Sequence, residues 1–191
     1  IVADDGIDRI LHLAAVESPP PDLTREFLLS VDVAGTQFGL RAFREWGVDL
    51  LTVTSSGASY GYYPFNPVWL DEESPLRGNP EFAYSDHKRI IEEMLAAHLV
   101  DHPQVRQLVL RPGTILGASV ANQITRLFHW PVVLGIAGSS TPFVFIWDAD
   151  VVDVVVAGTV GRKTGIFNLA GSGAVTMREI AQELGKRYIT I

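Results

Sequence analysis

The feature that most constrains this chain is the alternation of short apolar runs with long segments of helical periodicity. Residues 9–16, RILHLAAV, form an apolar run of strand length, bounded by charge on one side and by prolines on the other. Such a run followed by a helix suits a buried parallel strand. After SPPPD, a stiff loop at residues 18–22, the segment 23–46 carries Phe27, Val31, Ala34, Phe38, Leu40 and Phe43 at roughly helical spacing, with Gly47 placed to end it. DLLTVT at residues 49–54 reads as the next strand, residues 83–102 as a second long helix and residues 107–111 as a further strand. This order predicts an α/β protein built on a parallel sheet.

Two short stretches put chemistry on that frame. Tyr84 and Lys88 are four residues apart and share a helix face, with Ile91 and Leu95 continuing the stripe toward a core. Bringing a free tyrosine close to ionisation at neutral pH takes roughly 4 kcal/mol. A cation about 4 Å away supplies about that much at an effective dielectric near 20. Lys88 is therefore expected to lower the Tyr84 phenol and make it a general acid or base. A serine, Ser55 or Ser56, stands at the end of the preceding strand, where it can donate to a substrate oxygen as charge develops there. Together they suit alcohol and carbonyl chemistry.

The segments RILHLAAV, TVTSSGASYG, EESPLRGNPEFAYSDHKRIIEEML and VLRPGTILG follow one another in an order that resembles the extended short-chain dehydrogenase/reductase superfamily, in its NAD-dependent epimerase/dehydratase branch. The resemblance implies a Rossmann-type doubly wound parallel sheet with a small C-terminal substrate-binding lobe, the core in residues 1–117 and the lobe, interleaved with the last core strands, in 118–191. It implies Tyr84 as catalytic acid/base, Lys88 as its activator and a ligand of the nicotinamide ribose, and Ser56 as the third catalytic residue. Leu13, Ala14, Ala15, Thr54, Ser55, Pro112 and Gly113 would join Tyr84 and Lys88 around NAD (or NADP), and Ser56, Gly57 and Thr114 would face the substrate. Where nucleotide-sugar epimerases typically carry Asn, this chain has Thr114, which favours the alternative of a reductase of non-sugar ketones or aldehydes. A non-catalytic dinucleotide sensor on the same fold is the alternative from another class. SVDVAGT at residues 30–36 resembles the family's NxxGT, with Asp32 in place of Asn; a changed hydrogen bond to the neighbouring strand backbone is expected. The resemblance further implies a homodimer, with residues 23–46 and 83–102 forming a four-helix interface.

Composition narrows the classes. A net charge of -7 with no clustered basic residues argues against nucleic acid or an anionic membrane as partner. The absence of cysteine removes disulfides, thiol nucleophiles and thiolate metal sites. No apolar run approaches the ~18 residues of a membrane helix, and residues 1–10 carry no signal core, so the expected location is cytoplasmic. His98 and His102 share a helix face without a third ligand nearby, so no metal is expected. GTVGRKT at residues 158–164 lacks the order of a phosphate loop.

Smaller readings complete the chain. The opening IVADDGI is expected to be a helix end, and the Pro- and aromatic-rich residues 62–80 a long loop. His87 is expected to face solvent. Pro112, Gly113 and Thr114 should turn, residues 122–129 should be helical, and Asp150, in a stretch where Phe145 and Ile146 also match the family, should cap the following helix. GIFNLAG at residues 165–171 should be a strand and turn, and Thr176 with Glu179 should start the last helix with a capping box. No Gly-rich dinucleotide turn occurs in the sequence. A polypeptide beginning at Ile1 is expected to bind dinucleotide poorly.

Overall fold

The computed structural model describes residues 6–17, 19–20, 22–140 and 142–191, with the backbone alone at Arg44. The helix end expected in the opening residues lies outside this set except for Gly6 and Ile7, and the SPPPD loop lies outside it at Ser18 and Pro21. The chain divides into two compact units, one running up to Pro112 and including Val152–Asn168, the other comprising Gly113–Val151 and Leu169–Ile191.

The first unit is built on a sheet of order β1-β2-β3-β8, from Arg9–His12 (β1), Leu50–Thr54 (β2), Arg106–Pro112 (β3) and Gly165–Leu169 (β8). β1 pairs with β2, and β2 with β3, in parallel, with Leu11 opposite Thr52 and Thr52 opposite Leu108. β2 is the central strand: Leu50, Leu51, Thr52 and Val53 are all at most 1% exposed, so both faces are covered. That is why its sequence, LLTVT, carries only aliphatic residues and threonine. β1 is shorter than expected, since the ladder ends at His12 and residues 13–16 leave the sheet.

One face of the sheet carries the expected helices. The first is interrupted: Arg25–Leu29 (α1) is capped by the Thr24 side chain, Ser30–Ala34 form a π turn, and Gly35–Trp46 (α2) end at Gly47 in the left-handed conformation. Ala83–Asp101 (α3) is the longest helix. Leu40 and Phe43 of α2, Ile91 and Leu95 of α3, Leu51 and Val53 of β2 and Val109 of β3 close into one core. The helix Asp148–Val160 (α5) carries Gly158 against Leu108; a Cβ there would lie 2.6 Å from Leu108 Cδ2, so only glycine permits this approach. Asp150 lies within the first turn of α5 rather than capping it, and Asp148 accepts the Ala149 N–H at 2.8 Å. The expected capping position was displaced because the helix starts three residues earlier.

In the second unit β4 (Thr114–Leu116) pairs in parallel with β7 (Phe145–Trp147), β5 (Val132–Gly135) with β10 (Arg187–Thr190), and β6 (Pro142–Phe143) pairs antiparallel with β9 (Val175–Thr176). The turn expected at residues 112–114 is instead a break between β3 and β4. Asn122 caps α4 (Gln123–Leu127), and Thr176 caps α6 (Met177–Glu183) in the expected box with Glu179.

A buried ion pair closes the sheet end of the first unit. Arg111 on β3 and Glu92 on α3 are each 3% exposed, and the guanidinium meets the carboxylate at 2.6–3.0 Å. Arg111 also donates to the Tyr60 hydroxyl at 2.7 Å and to Glu72 O at 3.1 Å. The Asn168 amide reaches the same loop, through Glu72 and Leu70. This anchors residues 61–82, which contain no regular element, as expected of a loop. Removing one partner leaves a buried charge unpaired, so Arg111→Ala is expected to destabilise the fold by about 3–5 kcal/mol. Urea unfolding followed by circular dichroism measures it.

Candidate active site

The site lies where β2 ends and α3 begins. After Thr54 the chain turns through Ser55 and Ser56 into a 3-10 turn, Gly57–Tyr60, whose N-cap is Ser56: its hydroxyl accepts the Ala58 N–H at 3.1 Å. Ser85 of α3 donates to Ala58 O at 2.7 Å and ties this turn to the helix. The tie places Tyr84, the residue before Ser85, close enough to Ser56 for the serine side chain to favour the ionised phenol. Lys88, one turn along, is 4% exposed; its ammonium donates to Thr54 O at 2.8 Å and lies 5.6 Å from the Tyr84 ring centre. Ser56, Tyr84 and Lys88 are thus brought together.

The two serines part company. Ser55 is 2% exposed and donates to Glu92 at 2.5 Å, so its hydroxyl belongs to the Arg111–Glu92 network. Ser56 is the one that meets the phenol. Gly57 follows it, with Pro112 O 3.6 Å from where a Cβ would stand. Leu13 and Ala14 are exposed just beyond β1, and Ala15 is half-buried. In the second unit, Gly113 N–H donates to Leu169 O at 2.9 Å and Thr114 N–H to Val144 O at 3.1 Å.

The electrostatics differ from expectation. Burial pushes the Tyr84 phenol up to about 12, opposed by the Ser56 hydroxyl and reinforced by Glu17, Tyr62 and Asp32. The expected lowering by Lys88 is therefore outweighed: the phenol is taken from water and sees carboxylates as well as the ammonium. Burial also holds Lys88 below the usual lysine range, with Asp32, Glu92 and Glu17 working against it. His12 is lowered by burial and then by the charge of Lys88.

His87 is the clearest correction. It is 1% exposed, not solvent-facing, and its Nδ1 lies 2.8 Å from Asp32 Oδ2. The α3 turn that aims Tyr84 and Lys88 at the sheet end leaves His87 under the π turn. Asp32 Oδ1 accepts the Val16 N–H at 3.0 Å, the backbone bond next to β1 that the change from Asn suggested. Sequence reasoning missed the Arg111–Glu92 pair, although a lone arginine closing an apolar strand was its signal. The His98 and His102 rings lie tilted against each other with centres 4.7 Å apart, and among the described residues no group of three metal-ligating side chains forms. The phenol is expected to titrate near 12, and Ser56→Ala to move it higher; the difference in tyrosinate absorbance against Tyr84→Phe reads both.

Comparisons with known proteins agree with this frame. A model of the NAD dependent epimerase/dehydratase family matches residues 1–157. The UDP-glucose 4-epimerase of Thermus thermophilus, solved with NAD, is 22% identical and superposes with a TM-score of 0.75 over 100% of this chain and 66% of that one. The Brucella ovis UDP-glucose 4-epimerase, also with NAD, is 19% identical with a TM-score of 0.78 over 99% of this chain and 67% of that one. An uncharacterized protein, y4nG, of Sinorhizobium fredii is 26% identical over 97% of this chain and 46% of its own length. The chain therefore spans about two thirds of these solved epimerases and less than half of that relative. The fold is the Rossmann-type α/β fold of these structures, and with its family match extending over most of its length, the chain belongs to the NAD dependent epimerase/dehydratase family.

Proposed function

We propose that this chain carries the acid/base site of an NAD-dependent epimerase or dehydratase acting at an alcohol or carbonyl carbon of a nucleotide sugar. The observation that carries the reading is the junction of Ser56, Tyr84 and Lys88 at the C-terminal end of the parallel sheet, where such sheets take ligands. The nucleotide-sugar class is supported by the described substrates of the solved relatives. The reductase and sensor alternatives find no support in those relatives.

The residues fit the nicotinamide-ribose side of NAD. The Lys88 ammonium has given one hydrogen bond to Thr54 O and keeps further N–H groups, and the buried Thr54 Oγ1 has no partner among the described residues. Leu13 and Ala14 leave open surface beyond β1. NAD, when bound, supplies the acceptor and donor of hydride. Tyr84, protonated at neutral pH, is poised to give its proton to a carbonyl oxygen and to take it back from the alcohol. Ser56 holds that oxygen, and Lys88 provides the nearby positive charge as the phenol ionises.

A cytoplasmic location suits this chemistry, and no helix of the described residues is long and apolar enough to cross a membrane. A homodimer through α1–α2 and α3 is part of the proposal, with exposed Phe38, Leu99 and Val100 as the apolar residues on those helices.

Tyr84→Phe in the intact protein, assayed by NMR with UDP-glucose and NAD, is expected to lower turnover by about 10²–10⁴-fold. NAD affinity should stay within about threefold, because only the hydroxyl is removed. Unchanged turnover overturns the reading.

A further inference from the structure

Beside the Tyr84–Lys88 pair lies a second buried pair that the proposed reaction does not use. Asp32 is 2% exposed and sits in the π turn, a widened helical geometry often found at functional sites. Its carboxylate binds two separate elements. One oxygen accepts from Val16 N–H, in the segment that leaves β1 beside Leu13, Ala14 and Ala15; the other faces Nδ1 of His87, the residue before Lys88 on α3. An ionised carboxylate only accepts, so Nδ1 carries the hydrogen.

The backbone of Asp32 is fixed as well. Its carbonyl accepts the Thr36 hydroxyl at 2.7 Å, which uses that hydroxyl's hydrogen. Thr36 Oγ1 must then accept from His12 Nε2 at 2.9 Å. One chain of bonds thus runs from β1 through the π turn to the segment after β1 and to α3.

The charge of Asp32 also reaches the site. Among the carboxylates that oppose the burial of Lys88, Asp32 contributes most, ahead of Glu92 on α3 and Glu17 beyond β1. The other groups around the pair are His12 on β1, which feels both Lys88 and Asp32, and Tyr62 on the loop, which with Glu17 and Asp32 bears on Tyr84. His87 Nε2 is buried without a partner among the described residues.

We propose that Asp32 and His87 are positioning residues for the Tyr84–Lys88 pair: Asp32 joins the segment at Val16 to α3 through His87, the residue before Lys88. The consequence for turnover rests on the acid/base reading above. The positioning itself is measurable without a substrate.

The test follows the Lys88 ε-methylene signal against pH by NMR of the intact protein with labelled lysine, assigned with Lys88→Arg, and measures NAD affinity by calorimetry. Asp32→Asn keeps an oxygen for Val16 N–H and donates its amide to a His87 that carries its hydrogen on Nε2 instead, but removes the charge. It is expected to move the Lys88 midpoint to lower pH, leaving Lys163 and Lys186 unmoved and NAD affinity within about threefold. His87→Leu removes the N–H given to Asp32 and is expected to weaken NAD binding about tenfold, while His87→Gln, which keeps a donor, restores it. An unmoved Lys88 midpoint in folded Asp32→Asn overturns the proposal. Should Asp32→Asn not fold, His87→Leu decides, and NAD affinity within about twofold of the original protein overturns it. Neither readout depends on catalysis, so unchanged turnover in Tyr84→Phe would remove the acid/base reading and leave this result standing.

Discussion

Lys88 is a cation that folding withdraws from water, and the rest of the site is arranged around making that tolerable. A lone ammonium buried in an apolar interior would lose its proton. Here it donates to the last carbonyl of β2 and lies within reach of carboxylates on α3, in the π turn and beyond β1. Each comes from a different stretch of chain. The sheet end, the interrupted helix and α3 must therefore all be in place before the charge is balanced.

Two buried networks flank that cation and divide the work. On one side Arg111, Glu92, Ser55 and Tyr60 join the strand ends to α3 and to the loop at residues 61–82. On the other, Asp32, His87, Thr36 and His12 join the interrupted helix to β1 and α3. Glu92 and Asp32 both bear on Lys88, so the two networks meet in its electrostatics. Tyr84 stays protonated in this setting because burial takes the phenol from water, with Glu17 and Asp32 reinforcing the effect.

The parts of this arrangement that sequence disclosed are those governed by local rules. The strand run of β2, the Gly47 helix end, the Thr176 capping box and the Tyr84–Lys88 spacing are each decided within a few residues, and each is where the pattern put it. The π turn was not legible, because residues 23–46 keep an acceptable helical period through it. His87 was misread for a related reason: its stripe on α3 differs from that of Tyr84 and Lys88, and nothing local tells that the interrupted helix covers it. The balance of forces on the Tyr84 phenol was misjudged because a single pair was weighed, whereas burial and distant carboxylates decide it.

The anchoring of residues 61–82 has a consequence in time. Tyr60 meets Asn168 across a separation of 108 residues, and the Asn168 N–H meets Glu72 across 96. Contacts so remote in sequence close late, since the intervening chain must first be ordered. During synthesis at roughly 5–20 residues per second, Asn168 leaves the ribosome about 5–20 s after the loop it fastens. In the later part of that interval, once Arg111 has followed Ser56, Tyr84 and Lys88, the loop beside them has only its Arg111 side tied, so the nascent arrangement is assembled from its base outward and closed last by β8.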